Sequence, residues 1–241
     1  MLKTFIKKTL SDLGLEISLK KNLWYKDAWE IQKRLLSGIK KPIIFDVGAC
    51  DGTTVCKYKS LFPDSIVHAF EPQPKPFQNL TKLTQHYKNV YTNNLALSNY
   101  CGRSDFTITE GYYSSSLLNP LPNTSIEIHT RPNSKIKVNV TTIDQYSFEK
   151  GIKEINLLKM DVQGSELNVL KGAESLLKTG GVQVIYSEIW FNAAYEEQAY
   201  YEDIIVYLKK FNFKIHGIYN VSYDFSKNGE NLWGDAIFLK Q

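Results

Sequence analysis

The chain has 241 residues, of which 43% are hydrophobic and 13% aromatic, so it carries ample apolar surface for a globular core and does not resemble a disordered or fibrous protein. Its 29 basic and 25 acidic residues give a net charge of +4, which is too small and too evenly mixed to indicate a nucleic-acid-binding protein. The positive excess lies at the N-terminus, because residues 1–41 hold ten basic and four acidic residues.

The N-terminal segment has the pattern of a basic amphipathic helix. Apolar residues recur at helical spacing from Leu2 to Leu13, with Lys3, Lys7 and Lys8 between them. No apolar run approaches the ~20 residues of a membrane span, and charges interrupt the region where a signal peptide would be apolar, so we expect a cytoplasmic protein. Two interpretations of the helix stay open: packing on the rest of the protein, or peripheral contact with an anionic membrane.

From residue 42 onward, short apolar runs alternate with helical patterns. A further helix is predicted around residues 24–36. Strands are predicted at residues 43–45, 66–70, 90–95, 104–109, 136–143, 155–160, 182–186, 213–219 and 235–239, and helices at residues 53–61, 77–86, 166–177 and 200–211. This alternation predicts an open α/β sheet covered by helices on both faces. We expect a helical extension over residues 1–41 and one domain over residues 42–241.

A glycine turn follows the first strand of the predicted sheet. Gly48 and Gly52 would let the backbone approach a ligand, although a tight turn without a ligand uses glycines in the same way. Glu71 ends the next strand, where an acidic residue in a nucleotide-binding α/β fold accepts hydrogen bonds from ribose hydroxyls. Asp46 and Asp51 beside a G-x-x-x-G pattern would repel a pyrophosphate. S-adenosylmethionine, which is cationic and has no phosphate, is therefore the predicted cofactor rather than a dinucleotide.

Six segments in chain order resemble the FkbM-type S-adenosylmethionine-dependent methyltransferases. They are FDVGA (45–49), AFEP (69–72), ALS (96–98), SSSLL (114–118), LKMDVQGSE (158–166) and DAIF (235–238). The resemblance implies a Rossmann-like seven-stranded methyltransferase sheet that is mostly parallel, with its last strand antiparallel. It also implies O-methylation of a hydroxyl on a sugar, a glycan or a related metabolite. Cys50 and Asp51 depart from the family pattern, which often has Asn and an apolar residue there.

The resemblance also assigns the cofactor contacts by position. The residues implied to bind S-adenosylmethionine are Asp46, Gly48, Ala49, Gly52, Glu71, Pro72, Asn94, Ala96, Leu97 and Asp161. Leu97 is equally well explained as an ordinary core residue.

Two carboxylates follow the strands predicted at residues 155–160 and 182–186. Methyl transfer requires alignment of the acceptor and removal of a proton from its hydroxyl. Asp161 is the predicted base, or the group that accepts a hydrogen bond from the substrate hydroxyl, with Glu188 as its partner or orienting group. A carboxylate that caps a helix or stabilises a turn is an alternative role for Asp161. The two carboxylates are also a weak candidate site for a divalent metal ion, so no metal ligand is predicted.

The acceptor itself is poorly specified by the sequence. Ser115 and Ser116 are predicted to contact it from a loop that closes over the cofactor or is simply flexible. His129 is an alternative base or an exposed histidine, and Trp190 is a wall for a sugar ring or a core residue. We expect a small-molecule or glycan acceptor and no nucleic acid.

Two other functions fit part of the pattern. Tyr146 and Lys150 have the Tyr-x-x-x-Lys spacing of nicotinamide-dependent oxidoreductases, but the third glycine of a dinucleotide motif is missing. A binding domain that kept the fold and lost the chemistry is the second alternative.

Overall fold

The computed structural model describes residues 27–111, 113–124 and 126–241. The predicted basic amphipathic helix at the N-terminus lies outside these residues. The described strands are β1 (Ile43–Val47), β2 (Ile66–Phe70), β3 (Val90–Asn93), β4 (Ala96–Leu97), β5 (Gly102–Thr109), β6 (Pro132–Thr141), β7 (Ile155–Met160), β8 (Val182–Trp190), β9 (Phe213–Tyr219), β10 (Tyr223–Asp224), β11 (Glu230–Asn231) and β12 (Trp233–Lys240).

Helices connect most of these strands. They are α1 (Ala28–Leu35), α2 (Thr53–Leu61), α3 (Pro74–Thr84), α4 (Glu127–Thr130), α5 (Ile143–Lys150), α6 (Glu166–Lys171), α7 (Glu174–Thr179) and α8 (Tyr201–Lys209), with a short 3-10 helix at Phe225–Lys227. Within the described residues, no helix combines the length and the apolar character needed to cross a membrane.

The main sheet has seven strands in the order β3-β2-β1-β7-β8-β12-β9. The pairs from β3 to β8 are parallel, and β12 is antiparallel to both β8 and β9. All six residues of β7 are buried, as expected of a central strand covered on both faces. The predicted methyltransferase sheet with one antiparallel strand at the end of the chain is confirmed.

Two apolar clusters cover the two faces of this sheet. Successive side chains of a strand point to opposite faces, so Phe45 of β1 lies in one cluster and Ile44 in the other. Ile31 and Leu36 pack into the second cluster from α1 and its C-terminal end. The described part of residues 1–41 therefore contributes to the core, and the division at residue 42 stays a prediction.

The insertion after β3 forms a small sheet of its own, in the order β4-β6-β5. Two predicted elements are wrong in detail. The helix predicted over residues 166–177 is interrupted, because Gly172 lies against the Ser98 carbonyl oxygen, which a Cβ atom at residue 172 would approach to 2.0 Å. Strand β8 continues to Trp190, so Glu188 and Trp190 lie within the strand instead of after it.

Candidate active site

A cavity of about 470 Å³ lies at the carboxyl ends of β1, β2, β7 and β8, where ligands of open α/β sheets bind. The insertion closes one side of it. Among the sequence-predicted site residues, those on the cavity wall are Gly48, Glu71, Pro72, Ala96, Leu97, Ser115, His129, Asp161, Glu188 and Trp190. Those that do not line it are Asp46, Ala49, Gly52, Asn94 and Ser116. The functional roles given to all of them stay predictions.

The turn after β1 is shaped by its contact with the end of β7. Gly48 has a φ of +77°, and a Cβ atom there would lie 1.9 Å from the Asp161 carbonyl oxygen. The Asp161 N–H also donates to the Val47 carbonyl at 3.0 Å. Gly52, with a φ of +91°, faces Leu80 of α3 instead of the cavity. Gly48 is therefore needed to bring Asp161 beside the turn, whereas Gly52 lets the backbone pack closely against α3.

Glu71 joins this turn to the end of β2. Its carboxylate accepts the Cys50 N–H at 3.0 Å and the Gln73 N–H at 2.8 Å. Burial raises the pKa of Glu71 to about 7, although these hydrogen bonds favour its ionised form. The Gln73 side chain also hydrogen-bonds to Glu71, and a carboxylate has about four acceptor positions, so about one is left for a hydroxyl group of a ligand in the cavity.

A buried ion pair lies beneath the turn. The Lys159 ammonium is 2.9 Å from Asp46 Oδ1 and also donates to the Gly48 carbonyl at 2.9 Å. Burial alone would lower the pKa of Lys159, but the charges of Asp46, Asp161 and Glu188 together raise it. Asp46 thus supports the turn from below, while the lysine fixes the Gly48 carbonyl. The sequence analysis did not predict a role for Lys159, although a charged residue inside a mostly apolar strand indicates a buried partner of opposite charge.

The two predicted catalytic carboxylates come together around the side-chain amide of Gln163. The Gln163 Nε2 atom donates to Asp161 Oδ1 at 2.7 Å and to Glu188 Oε2 at 3.0 Å. The Asp161 side chain is 46% exposed. Burial, followed by the charges of Asp161 and Glu166, raises the pKa of Glu188 well above the usual glutamate range. The site therefore pairs an accessible carboxylate with one that favours its neutral form.

Gln163 was not predicted, and its position depends on distant parts of the chain. Its φ is +56°, which is uncommon for a residue with a side chain. The Ser116 hydroxyl donates to the Gln163 carbonyl at 2.8 Å, and the Tyr195 hydroxyl lies 3.2 Å from Gln163 Oε1. The sequence feature that could have indicated a tight turn at this position is Gly164, the residue that follows Gln163.

The serine segment holds the insertion onto this turn. Ser115 is buried and its hydroxyl accepts the Thr109 N–H at 3.1 Å. The Ser116 hydroxyl donates to the Gln163 carbonyl and does not line the cavity.

His129 of α4 is exposed at the cavity wall. Glu166 begins α6, as predicted, and accepts the Val162 N–H at 2.9 Å through Oε1.

Within the part of the chain that the structure describes, no group of three or more His, Cys, Asp or Glu side chains is arranged to hold a metal ion. The two carboxylates considered as metal ligands, Asp161 and Glu188, are instead bridged by the Gln163 amide. An amide N–H group is a donor and does not bind a cation.

Tyr146 of the oxidoreductase-like pair lies away from the cavity. It is 3% exposed and packs edge-on against Phe45 and Phe70. Its hydroxyl donates to Asn93 Oδ1 at 3.2 Å. Tyr146 is therefore a core residue, and the interpretation based on this pair has no structural support.

Residues 46–215 match the family model described as "Methyltransferase FkbM domain". The chain is 28% identical over 179 residues to the 2-O-methyltransferase NoeI of Sinorhizobium fredii, an alignment that covers 70% of this chain and 72% of NoeI. It is 29% identical over 162 residues to the 31-O-demethyl-FK506 methyltransferase FkbM of Streptomyces tacrolimicus, which covers 55% of this chain and 59% of that protein. Among solved structures, an rRNA methylase from Streptococcus thermophilus matches with a TM-score of 0.47 and 11% identity, over 89% of this chain and 97% of the other.

Proposed function

The chain belongs to the FkbM family of S-adenosylmethionine-dependent methyltransferases, and from this premise we propose that it methylates a hydroxyl group of a sugar or glycan. The observation that carries the proposal is the carboxylate pair Asp161 and Glu188, held around one amide in the main cavity. Both named relatives are O-methyltransferases, which supports a hydroxyl acceptor for this chain as well.

The residues of the cavity fit S-adenosylmethionine, which when bound supplies the methyl group already activated on a sulfonium. Glu71 has about one unused acceptor position for a ribose hydroxyl. Phe70, Leu95 and Leu97 give the same wall an apolar surface suited to a base. The accessible carboxylate of Asp161 adds negative charge near a cationic ligand.

Asp161 is the residue proposed to take the proton of the acceptor hydroxyl. When the acceptor oxygen takes the methyl group that bound S-adenosylmethionine would supply, leaving S-adenosylhomocysteine, Asp161 would accept the hydroxyl proton. Burial and the neighbouring charges of Asp161 and Glu166 raise the pKa of Glu188 and so favour its neutral form, and Glu188 helps to hold the Gln163 amide. That amide fixes the direction of the Asp161 carboxylate, so the chain supplies alignment and a base while the cofactor supplies the reactive carbon.

The test is incubation of the full chain with S-adenosylmethionine labelled in its methyl group and a panel of sugars, oligosaccharides, RNA and small alcohols. Label in the carbohydrate fraction supports the proposal. Label in RNA alone would contradict the acceptor class. Failure to bind S-adenosylhomocysteine, measured by calorimetry, would contradict the enzymatic assignment itself.

Peripheral membrane contact through the N-terminal basic segment is a separate proposal that rests on the sequence alone. A positively charged amphipathic helix binds anionic lipid through both charge and apolar area. Cosedimentation with phosphatidylserine-containing vesicles should weaken when Lys3, Lys7 and Lys8 are all changed to Gln in the full chain. Equal sedimentation of both proteins would contradict this proposal and leave the methyltransferase assignment unaffected.

A further inference from the structure

A second, smaller cavity opens beyond Trp190 and is here named the side cavity. Its volume is about 210 Å³, and it shares the side chains of Trp190 and Ile126 with the main cavity. Its remaining wall residues are Asn123, Thr124, Asn192, Ala193, Ala194, Lys227 and Leu232. Independent ligand sites measure ~300 to 1,000 Å³, so the size of the side cavity suits an extension of the main site.

Two wall residues of the side cavity carry buried polar atoms without a partner. Trp190 is 3% exposed, and within the described residues neither its Nε1 atom nor Thr124 Oγ1 has a hydrogen-bond partner. Buried polar atoms in native proteins are nearly always hydrogen-bonded, because leaving them unpaired is costly. Both atoms are covered by neighbouring groups, so a ligand hydroxyl in the side cavity would pair with either one only after a small side-chain shift uncovers it.

The other polar groups of the wall suit the same class of ligand. Asn123 offers an amide that both donates and accepts, and Lys227 offers an ammonium that donates. The Asn192 amide nitrogen already donates to the Asn231 carbonyl at 2.8 Å, which leaves its oxygen as an acceptor. Trp190 is 3% exposed and is packed between Tyr195 and Trp233, so it adds a small apolar area of an aromatic ring to the wall. An aromatic ring combined with amide and hydroxyl groups is a chemical match for a saccharide unit.

Backbone hydrogen bonds hold the walls of the side cavity in place. The Phe191 N–H donates to the Leu232 carbonyl at 3.0 Å, and the Leu121 N–H donates to the Ala194 carbonyl at 2.9 Å. Trp190 also packs on Trp233, with ring centroids 5.8 Å apart. The side cavity is therefore formed before a ligand arrives, which lowers the entropic cost of binding.

The side cavity lies one step along β8 from the reacting groups. Glu188 and Trp190 are two residues apart, so their side chains share a face of the strand and are ~7 Å apart along it. This spacing is close to the length of one sugar unit. We propose that the side cavity binds a second sugar unit of the acceptor, so that the substrate is a disaccharide or a longer glycan methylated on the unit in the main cavity. This inference rests on the proposed function.

The experiment compares monosaccharides with matching disaccharides as acceptors. Methyl glycosides of glucose, galactose, N-acetylglucosamine and fucose, each paired with a disaccharide that contains it, are incubated with the full chain and labelled S-adenosylmethionine. We expect kcat/KM for at least one disaccharide to exceed that for its monosaccharide by about tenfold or more, the gain from one or two added hydrogen bonds.

Variants locate the source of that preference. The double variant Asn192→Ala, Lys227→Ala should reduce it to about threefold or less, because two polar partners are removed from the side cavity. The control Lys209→Ala, which removes an exposed lysine from α8, should keep it.

Equal kcat/KM for mono- and disaccharides would overturn the inference, as would a preference that survives the double variant. Binding of S-adenosylhomocysteine separates this failure from that of the proposed function. If the cofactor product binds but every disaccharide fails as an acceptor, the side-cavity inference is wrong; if it does not bind at all, the proposed function fails first.

Discussion

Cofactor affinity should depend on pH through Glu71, and the variant Glu71→Gln isolates this dependence. Burial raises the pKa of Glu71 to about 7 in the free protein. Ribose hydroxyls donate to the ionised carboxylate, so a ligand with a ribose binds the deprotonated form and must release a proton below that pH. Affinity for S-adenosylhomocysteine is therefore full above pH 7 and is lost as the pH falls.

The size of the effect follows from that pKa. Each pH unit below a pKa of 7 lowers the ionised fraction about tenfold, so the affinity should fall about 80-fold between pH 7.5 and pH 5. In Glu71→Gln the charge-assisted hydrogen bonds are replaced by weaker ones, which should reduce the affinity at pH 7.5 about tenfold or more. The variant has no proton to release at residue 71, so its affinity should vary little over the same range.

Isothermal titration calorimetry with S-adenosylhomocysteine at pH 5, 6, 7 and 7.5 measures both quantities. Repeating it in buffers of different ionisation enthalpy counts the protons released, and the wild type should release close to one at pH 5 to 6 and the variant almost none. A flat affinity profile for the wild type, or an equal slope in Glu71→Gln, would refute the assignment of the ribose contact to Glu71.

Three further substitutions test other parts of the site. Asp161→Asn should keep S-adenosylhomocysteine binding in calorimetry but reduce kcat by ~10² to 10⁴, the usual contribution of a general base. The control Asp105→Asn changes an exposed aspartate that pairs with Lys137, and it should keep full turnover. Glu188→Gln should lose about tenfold or less in kcat, because burial raises the pKa of Glu188 and favours the neutral form that glutamine resembles; a loss as large as that of Asp161→Asn would make Glu188 the base instead. Gly48→Ala should lower the free energy of unfolding by more than ~4 kcal/mol in a urea titration, because its Cβ would overlap the Asp161 carbonyl. The control Gly151→Ala, at a similar φ of +68° with no atom within 4 Å of the added Cβ, should lower it by only about 1 kcal/mol.

The alternation of strands and helices and the place of the site were accessible from the sequence. Strand β7 is mostly apolar and fully buried, and Asp161 and Glu71 come directly after buried strands, so hydrophobic pattern and strand polarity together located the cavity. The position of Gln163 was not accessible in this way. It depends on a left-handed backbone conformation and on Ser116 and Tyr195, which are distant in sequence.

Other differences have the same origin in long-range contacts. Sequence pattern predicts one helix over residues 166–177, but a backbone contact between Gly172 and Ser98 divides it. Asp46 has the sequence position of a cofactor ligand, yet Lys159 on the neighbouring strand pairs with it below the turn. Local patterns describe single elements, whereas these features require knowing which strands and loops are neighbours.

The most direct test of the proposed function is the identity of the bond that the enzyme makes. The full chain is incubated with S-adenosylmethionine carrying ¹³C in its methyl group and with an oligosaccharide acceptor found in the screen, and the product is examined by carbon NMR. We predict one new methyl signal in the O-methyl ether region, correlated with a single sugar ring carbon, and a signal that grows at least ~100-fold more slowly with Asp161→Asn. A methyl group on nitrogen or carbon, or equal product from Asp161→Asn, would contradict the account.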